Sequence, residues 1–156
     1  MKYLIYAIVF FVCLSACDNN SYQEEGEGLK EISYRYKGSS TLSKKLYLVT
    51  SIDGCGACVE HTIKYIEDNI KNEESLFIIS GQSKVQLKAE FKLDVRNSPN
   101  FVFDTLLLAL RKKVVGTANP RVYLCRNGKI VEMKEFTYQN SDSVFKRVSL
   151  FFKEKQ

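Results

Sequence analysis

The chain has 156 residues, 45% of them hydrophobic and 26% charged, and a formal net charge of +5. That is enough for one ordinary globular domain with a short extension. Its Lys and Arg are scattered and their excess is small, which excludes nucleic acid as a partner. There is no second Cys pair beside Cys55 and Cys58 and no His cluster, His61 being the only histidine, so the four ligands of a structural zinc site are not supplied and no metal or cofactor is expected.

Met1-Lys2 gives a short positive start, and Leu4 to Leu14 is an unbroken apolar run of eleven residues. Eleven helical residues rise about 17 Å, short of a bilayer core of about 30 Å, so residues 1–16 read as a signal peptide and not a span. Leu14-Ser15-Ala16-Cys17 resembles the lipobox of bacterial lipoproteins, which implies cleavage before Cys17 and a diacylglycerol on its sulfur. An ordinary signal cut near Ala16 would instead leave Cys17 a free thiol. Two or three acyl chains suffice for stable anchoring. The expected location is therefore the bacterial cell envelope, lipid-anchored to the inner or outer membrane, with the domain outside the cytoplasm. Removing residues 1–16 takes away only Lys2 among the charges and lowers the net charge to +4.

Residues 17–30 then comprise the lipidated Cys17 and a flexible tether, because Asp18 to Gly28 is polar, Gly-containing and has almost nothing to bury. Residues 31–156 form the domain. Glu31 to Tyr36 alternates weakly, as in a short edge strand, and Lys45 to Thr50 is apolar and β-rich enough for a central strand.

Directly after it comes Cys55-Gly56-Ala57-Cys58, followed by a helix. Val59, Thr62, Ile63, Ile66 and Ile70 recur at helical spacing, with Glu60, Lys64, Glu67 and Asp68 on the other side. A Cys at a helix N-terminus meets unpaired backbone N–H groups and the positive end of the helix dipole, both of which favour the thiolate that performs disulfide exchange. An inert disulfide or thiol pair is the alternative. With Cys13 in the signal and Cys17 lipidated, the remaining thiols are Cys55, Cys58 and Cys125, one pair and one odd cysteine. His61 lies one helical turn beyond Cys58, placed to tune that thiol or simply to sit on the helix surface.

Leu76 to Ser80 reads as a short strand, residues 83–93 as helix or polar edge, and Asp104 to Val115 as a Leu-rich helix opened by an acidic cap. Arg121 to Cys125 and Lys129 to Phe136 form a hairpin across Asn127-Gly128, the strongest short turn signal. Cys125 falls in the first of these strands, as a small buried hydrophobe would. A last helix begins at Ser141 or Asp142 and carries Val144, Phe145, Val148, Phe151 and Phe152 on one stripe.

From about Lys44 to Phe152 the order strand, CxxC, helix, strand, helical region, X-Pro, hairpin and helix resembles the thioredoxin superfamily. With the lipid signal, it is similar to the membrane-tethered thioredoxin-like lipoproteins of the Bacteroidetes type. The resemblance implies an α/β fold with a central mixed β-sheet flanked by helices, a C-terminal hairpin and helix. It implies Cys55 as the solvent-facing nucleophile and Cys58 as the resolving thiol. It further implies a cis Asn119–Pro120 bond facing the dithiol, where Gly54, Gly56, Ala57, Asn119 and Pro120 would meet substrate. The partners implied are a protein dithiol or disulfide substrate and a redox partner protein.

The chain departs from that pattern in three ways. Gly54 stands where the family has an aromatic residue, Ala57 where it often has Pro, and Val49 where many members bury an acid. Asp53 and Glu60 are then the nearby acids. These departures keep two rival functions open: a redox-inert binding module at the membrane surface, and a soft-metal carrier using two thiolates and an imidazole for Cu(I).

Overall fold

The computed structural model describes residues 22–154, so the signal segment and Cys17 lie outside the described residues. Strand β1, Leu46–Ser51, is buried along its whole length because both of its edges and both of its faces are covered. On one edge it pairs in parallel with β2, Ser75–Ser80, and on the other in antiparallel with β4, Arg121–Arg126. Beyond β2 lies the parallel strand β3, Phe101–Asp104, and beyond β4 the antiparallel β5, Lys129–Glu135. The five-stranded mixed sheet has the order β3-β2-β1-β4-β5. Full burial explains why β1 and β2 read as continuous apolar runs instead of alternating ones.

Side-chain alternation divides these strands between two cores. Leu46, Leu48, Phe77, Ile79, Val122 and Leu124 face one way. There they meet Ile66 of α2, Gly56–Asn69, and Val144, Val148 and Phe151 of the last helix, α6, Ser141–Lys153. Phe91, the extended residue that ends α3, Lys84–Glu90, and Val95 of the single turn α4, Leu93–Arg96, close this core, so the ambiguous stretch over residues 83–93 is mainly helical. Tyr47, Val49, Leu76, Ile78, Val102 and Tyr123 face the other way, against Leu29 and Ile32 of α1, Gln23–Lys37, and Ala109 of the one-turn α5, Leu108–Arg111. Each fully buried Leu, Ile or Phe contributes roughly 1.5–3 kcal/mol. The two-sided core is what fixes the carboxyl end of β1 in space. Among the described residues no helix is long and apolar enough to cross a membrane.

Helix α1 corrects two expectations, the tether running to residue 30 and the edge strand over Glu31 to Tyr36. The packed domain reaches back to Gln23. Gly26 and Gly28, which read as loop signals, are buried on the packing face of this helix. A Cβ at Gly28 would stand 2.5 Å from Val114 Cγ2 and 2.9 Å from Lys112 Cβ, so the glycine permits the close approach. Glu24 and Glu25 in the first turn and Arg35 and Lys37 in the last oppose the helix dipole correctly. Gly38, at φ 71°, ends the helix.

The expected Asp104 to Val115 helix is also corrected. Its first residue ends β3 and only Leu108–Arg111 is helical, since Leu107 and Lys113 both take left-handed backbone conformations, at φ 55° and 56°. The cause is the Asp104 carboxylate. It accepts hydrogen bonds from Ser80 Oγ at 3.1 Å, Tyr36 Oη at 3.0 Å and Ala109 N at 2.7 Å, which tie the chain to β2 and α1 before a helix can start. The hairpin is as expected, with Asn127 at φ 52° and Gly128 at φ 74°. Both residues thus occupy the left-handed region that a two-residue turn of this kind demands.

Candidate functional site

The carboxyl end of β1 runs through a short turn, with Gly54 N donating to Ser51 O at 3.2 Å, into Cys55 at the N-cap of α2. Cys55 has φ −58° and ψ 113°, outside the helical region, and its carbonyl accepts the first helical bond, from Val59 N at 2.8 Å. No side chain caps this helix, so its first N–H groups are free to face sulfur. The exposed Cys55 thiol is held below its ordinary value by a hydrogen bond from the Cys58 thiol and by the backbone N–H groups of Cys58 and Ala57.

Cys58, one turn into α2, is 1% exposed. Burial pushes its thiol up, and the hydrogen bond to Cys55 adds to this, while the backbone N–H of Tyr138 acts in the opposite direction. The two sulfurs of one short motif therefore differ: an accessible one whose ionised form is favoured and a sequestered one whose ionised form is disfavoured. Cys125, the third free thiol, is 2% exposed on β4, and burial pushes it up to about 12.

Two segments distant in sequence frame the pair. The loop that carries Thr117 and Ala118 lies directly against it, because Cys55 N donates to Ala118 O at 2.9 Å. A Cβ at Gly54 would meet Ala118 O at 2.9 Å, Ser51 O at 3.2 Å and Thr117 O at 3.3 Å, three backbone atoms with nowhere to go. That crowding is the physical reason for glycine, and against an aromatic residue, at this position. On the other side stands the single 3-10 turn Tyr138–Asn140. Thr137 N donates to Asn140 Oδ1 at 2.7 Å, and a reciprocal bond to the Thr137 side chain completes a capping box.

His61 faces this turn. Its ring packs edge-on against Tyr138 with centroids 4.6 Å apart and planes at 76°, and its Nδ1 lies 3.1 Å from Ser141 Oγ.

Of the residues singled out from sequence, the fold brings Gly54, Cys55, Gly56, Ala57 and Cys58 together with the loop that leads to Asn119 and Pro120. Gly56 and Ala57 are exposed and Gly54 half-buried. The expected cis bond is not there: among the described residues every peptide bond is trans, Asn119–Pro120 included. Pro120 is a buried residue opening β4, with its carbonyl accepting from Phe136 N at 3.1 Å, a strand-start position that the trans form satisfies without strain. The Asn119 side chain is turned to Glu135 Oε1 at 3.1 Å. Arg121 Nε also holds Glu135, at 2.8 Å, and together these donors keep that carboxyl below the ordinary range.

Asp53 and Glu60, the acids nearest in sequence, are both exposed. The buried acid of this domain is Asp104, fully enclosed on the opposite face of the sheet from α2. Sequence reasoning treated it as a helix cap and missed its burial. It also missed Ala118, Tyr138 and Ser141; the only local signal was the Thr137 to Asn140 spacing of a capping box. Among the described residues no group of three or more His, Cys, Asp or Glu side chains is arranged to hold a metal ion. No family model, no curated protein and no solved structure matches this chain.

Proposed function

We propose that this protein is a thioredoxin-like thiol–disulfide oxidoreductase whose working centre is the Cys55/Cys58 pair. The observation that carries the reading is the inequality of the two sulfurs: Cys55 exposed and held low at a helix N-terminus, Cys58 buried and pushed up one turn behind it. Cys55 thiolate attacks a substrate disulfide and forms a mixed disulfide. Cys58 then attacks Cys55, closing the Cys55–Cys58 bond and releasing the substrate as a thiolate. Run in reverse, the same steps oxidise a dithiol. The position of the pair after a central strand of a mixed α/β sheet, with a hairpin and terminal helix beyond, supports the thioredoxin-like assignment. The edge strand β3, inserted before the hairpin, is an addition to the expected order.

The trans Asn119–Pro120 bond removes the argument that Asn119 offers its backbone to an extended substrate, and Ala118 O is already engaged by Cys55 N. This is the one observation that favours the rival reading, a redox-inert module binding a partner at the membrane. Reduction of a peptide disulfide by the reduced protein, compared with its Cys55→Ser variant, separates the two. Turnover that depends on Cys55 is expected; equal rates for both proteins would leave the module. Trapping with Cys58→Ala in cells, where mixed disulfides on Cys55 accumulate, would identify the protein substrate and redox partner.

A lipid on Cys17 would place this chemistry in the bacterial cell envelope. With α1 beginning at Gln23, the five intervening residues reach at most about 18 Å, so the domain would stand against the membrane surface instead of on a long leash. Cys17→Ser should release the protein from the membrane fraction, and a processed variant that stays membrane-bound would refute the anchor.

A further inference from the structure

The dithiol motif offers a substrate almost no apolar surface of its own. Gly54 is held among three backbone oxygens, and Gly56 and Ala57, the two residues between the sulfurs, are small and exposed. The large side chain beside the motif comes from far along the sequence: Tyr138, in the single turn that touches α2, is 52% exposed. Its ring packs edge-on against His61, with centroids 4.6 Å apart and planes at 76°. Its carbonyl accepts a hydrogen bond from the Ser141 hydroxyl at 3.0 Å, and the capping box between Thr137 and Asn140 closes the turn around it. Ring and backbone are therefore both held, with half of the residue left to solvent. A rigid aromatic of this kind gives up little conformational freedom when it is covered, and binding energy concentrates on such side chains.

We propose that Tyr138 is the specificity-determining residue of the dithiol site, covered by a large apolar side chain two or three residues from the reacting cysteine of the substrate. The inference rests on the oxidoreductase reading above and names the substrate class for it: disulfides carried by extended, apolar polypeptide segments. The spacing follows from the helix. His61 lies six residues beyond Cys55, a rise of about 9 Å along α2. An extended chain advances about 3.3 Å per residue, so two or three residues carry it from Cys55 to the ring held against His61. At that separation Tyr138 should sort substrates without altering the reactivity of the Cys55 sulfur.

Three disulfides test this with the reduced protein in excess. Two are symmetric disulfides of a short peptide with one central cysteine, carrying either Leu or Ser at the second and third positions on both sides. The last is hydroxyethyl disulfide, which has no side chains at all. With each, Cys55 thiolate attacks one probe sulfur, forming a mixed disulfide and releasing one probe thiolate. Cys58 thiolate then attacks Cys55 Sγ, forming the Cys55–Cys58 bond and releasing the second. The protein dithiol loses two electrons, the probe disulfide gains them, and the two thiol protons pass to the released thiolates. Every rate is taken relative to that of free dithiothreitol with the same probe, which removes differences in intrinsic reactivity.

At low probe concentration the wild type should reduce the Leu peptide about tenfold faster than the Ser peptide, the scale of covering half a tyrosine. Tyr138→Ala should bring the two peptides within about twofold of each other and leave the hydroxyethyl disulfide rate within about twofold of the wild type. Tyr138→Gln, which fills much of the same space with a polar group, guards against a collapsed turn and should lose the preference in the same way. Tyr138→Phe keeps the apolar ring and should keep the preference. The role is overturned if the wild type shows no preference, if the preference survives Tyr138→Ala or Tyr138→Gln, or if Tyr138→Phe loses it. An equal fall for all three probes in both Tyr138→Ala and Tyr138→Gln also overturns it, because the turn would then support the thiols and not the substrate; in each of these cases the dithiol reading stands. If the wild type reduces no probe faster than Cys55→Ser does, the dithiol reading itself fails, and this role with it.

Discussion

Two glycines on either side of Cys55 should respond in opposite directions to the same added methyl group. At Gly54 the new Cβ would fall 2.9 Å from Ala118 O, 3.2 Å from Ser51 O and 3.3 Å from Thr117 O. All three are backbone oxygens, so relief requires moving the β1 turn or the loop before Pro120, and either shift loosens the Cys55 N to Ala118 O bond. Overpacking of this kind costs about 1–3 kcal/mol. At Gly56 nothing lies within 4 Å of the added atom and the backbone is already helical. There alanine should stabilise by about 0.4–1 kcal/mol, chiefly by restricting the unfolded chain. For a domain of this size 1 kcal/mol moves Tm by about 3–5 °C. Thermal unfolding followed by circular dichroism should thus place Gly54→Ala about 3–15 °C below the wild type and Gly56→Ala a few degrees above it. Gly54→Ala should also change the alkylation rate of Cys55, because the loop bonded to that residue has moved. A Gly54→Ala protein as stable as wild type, with unaltered Cys55 reactivity, would refute the packing of the loop against the dithiol.

Three further outcomes follow from the geometry. Alkylation of the reduced protein against pH should show Cys55 reacting with a midpoint below that of an ordinary thiol; Cys58 should react only above it, since thiolate forms as pH rises through each shifted value. Coincident midpoints would contradict the inequality of the pair. Leu29→Ala should cost about 2–5 kcal/mol in urea unfolding, because the side chain is fully buried in the second core, whereas a tether residue would cost nothing. Asp104→Asn replaces an acceptor of three hydrogen bonds with a group that turns a donor toward donors, and should destabilise by about 1–3 kcal/mol with no change in the rate of Cys55 alkylation. An effect on Cys55 alone would place Asp104 in the thiol chemistry instead.

The sequence by itself determined those elements whose signals are local. The continuous apolar run of β1 and the helical spacings of α2 and α6 survive because each element carries its own buried surface. Asn127-Gly128 forces the hairpin because both residues tolerate the left-handed conformations that the turn requires. The CxxC at the start of α2 likewise follows from a strand ending and a helix beginning within a few residues.

Tertiary structure decided whatever depends on residues far apart in the chain. Gly26 and Gly28 signal a loop until Ile130 is brought near the first and Val114 against the second; they then lie on the packing face of α1. Phe101–Asp104 joins the sheet because β2 offers an edge, and the Asp104 carboxylate, fixed by Tyr36 and Ser80, overrides the helical preference of the leucines after it. The trans form of Asn119–Pro120 is set by the strand it opens, and the loop before it by the bond from Cys55 N. The unequal environments of Cys55 and Cys58 come from the burial of one and the exposure of the other, and beside them His61 meets Ser141 from eighty residues away in the sequence. No spacing rule reaches that far, because a hydrogen bond across the fold leaves no periodicity in either segment that makes it.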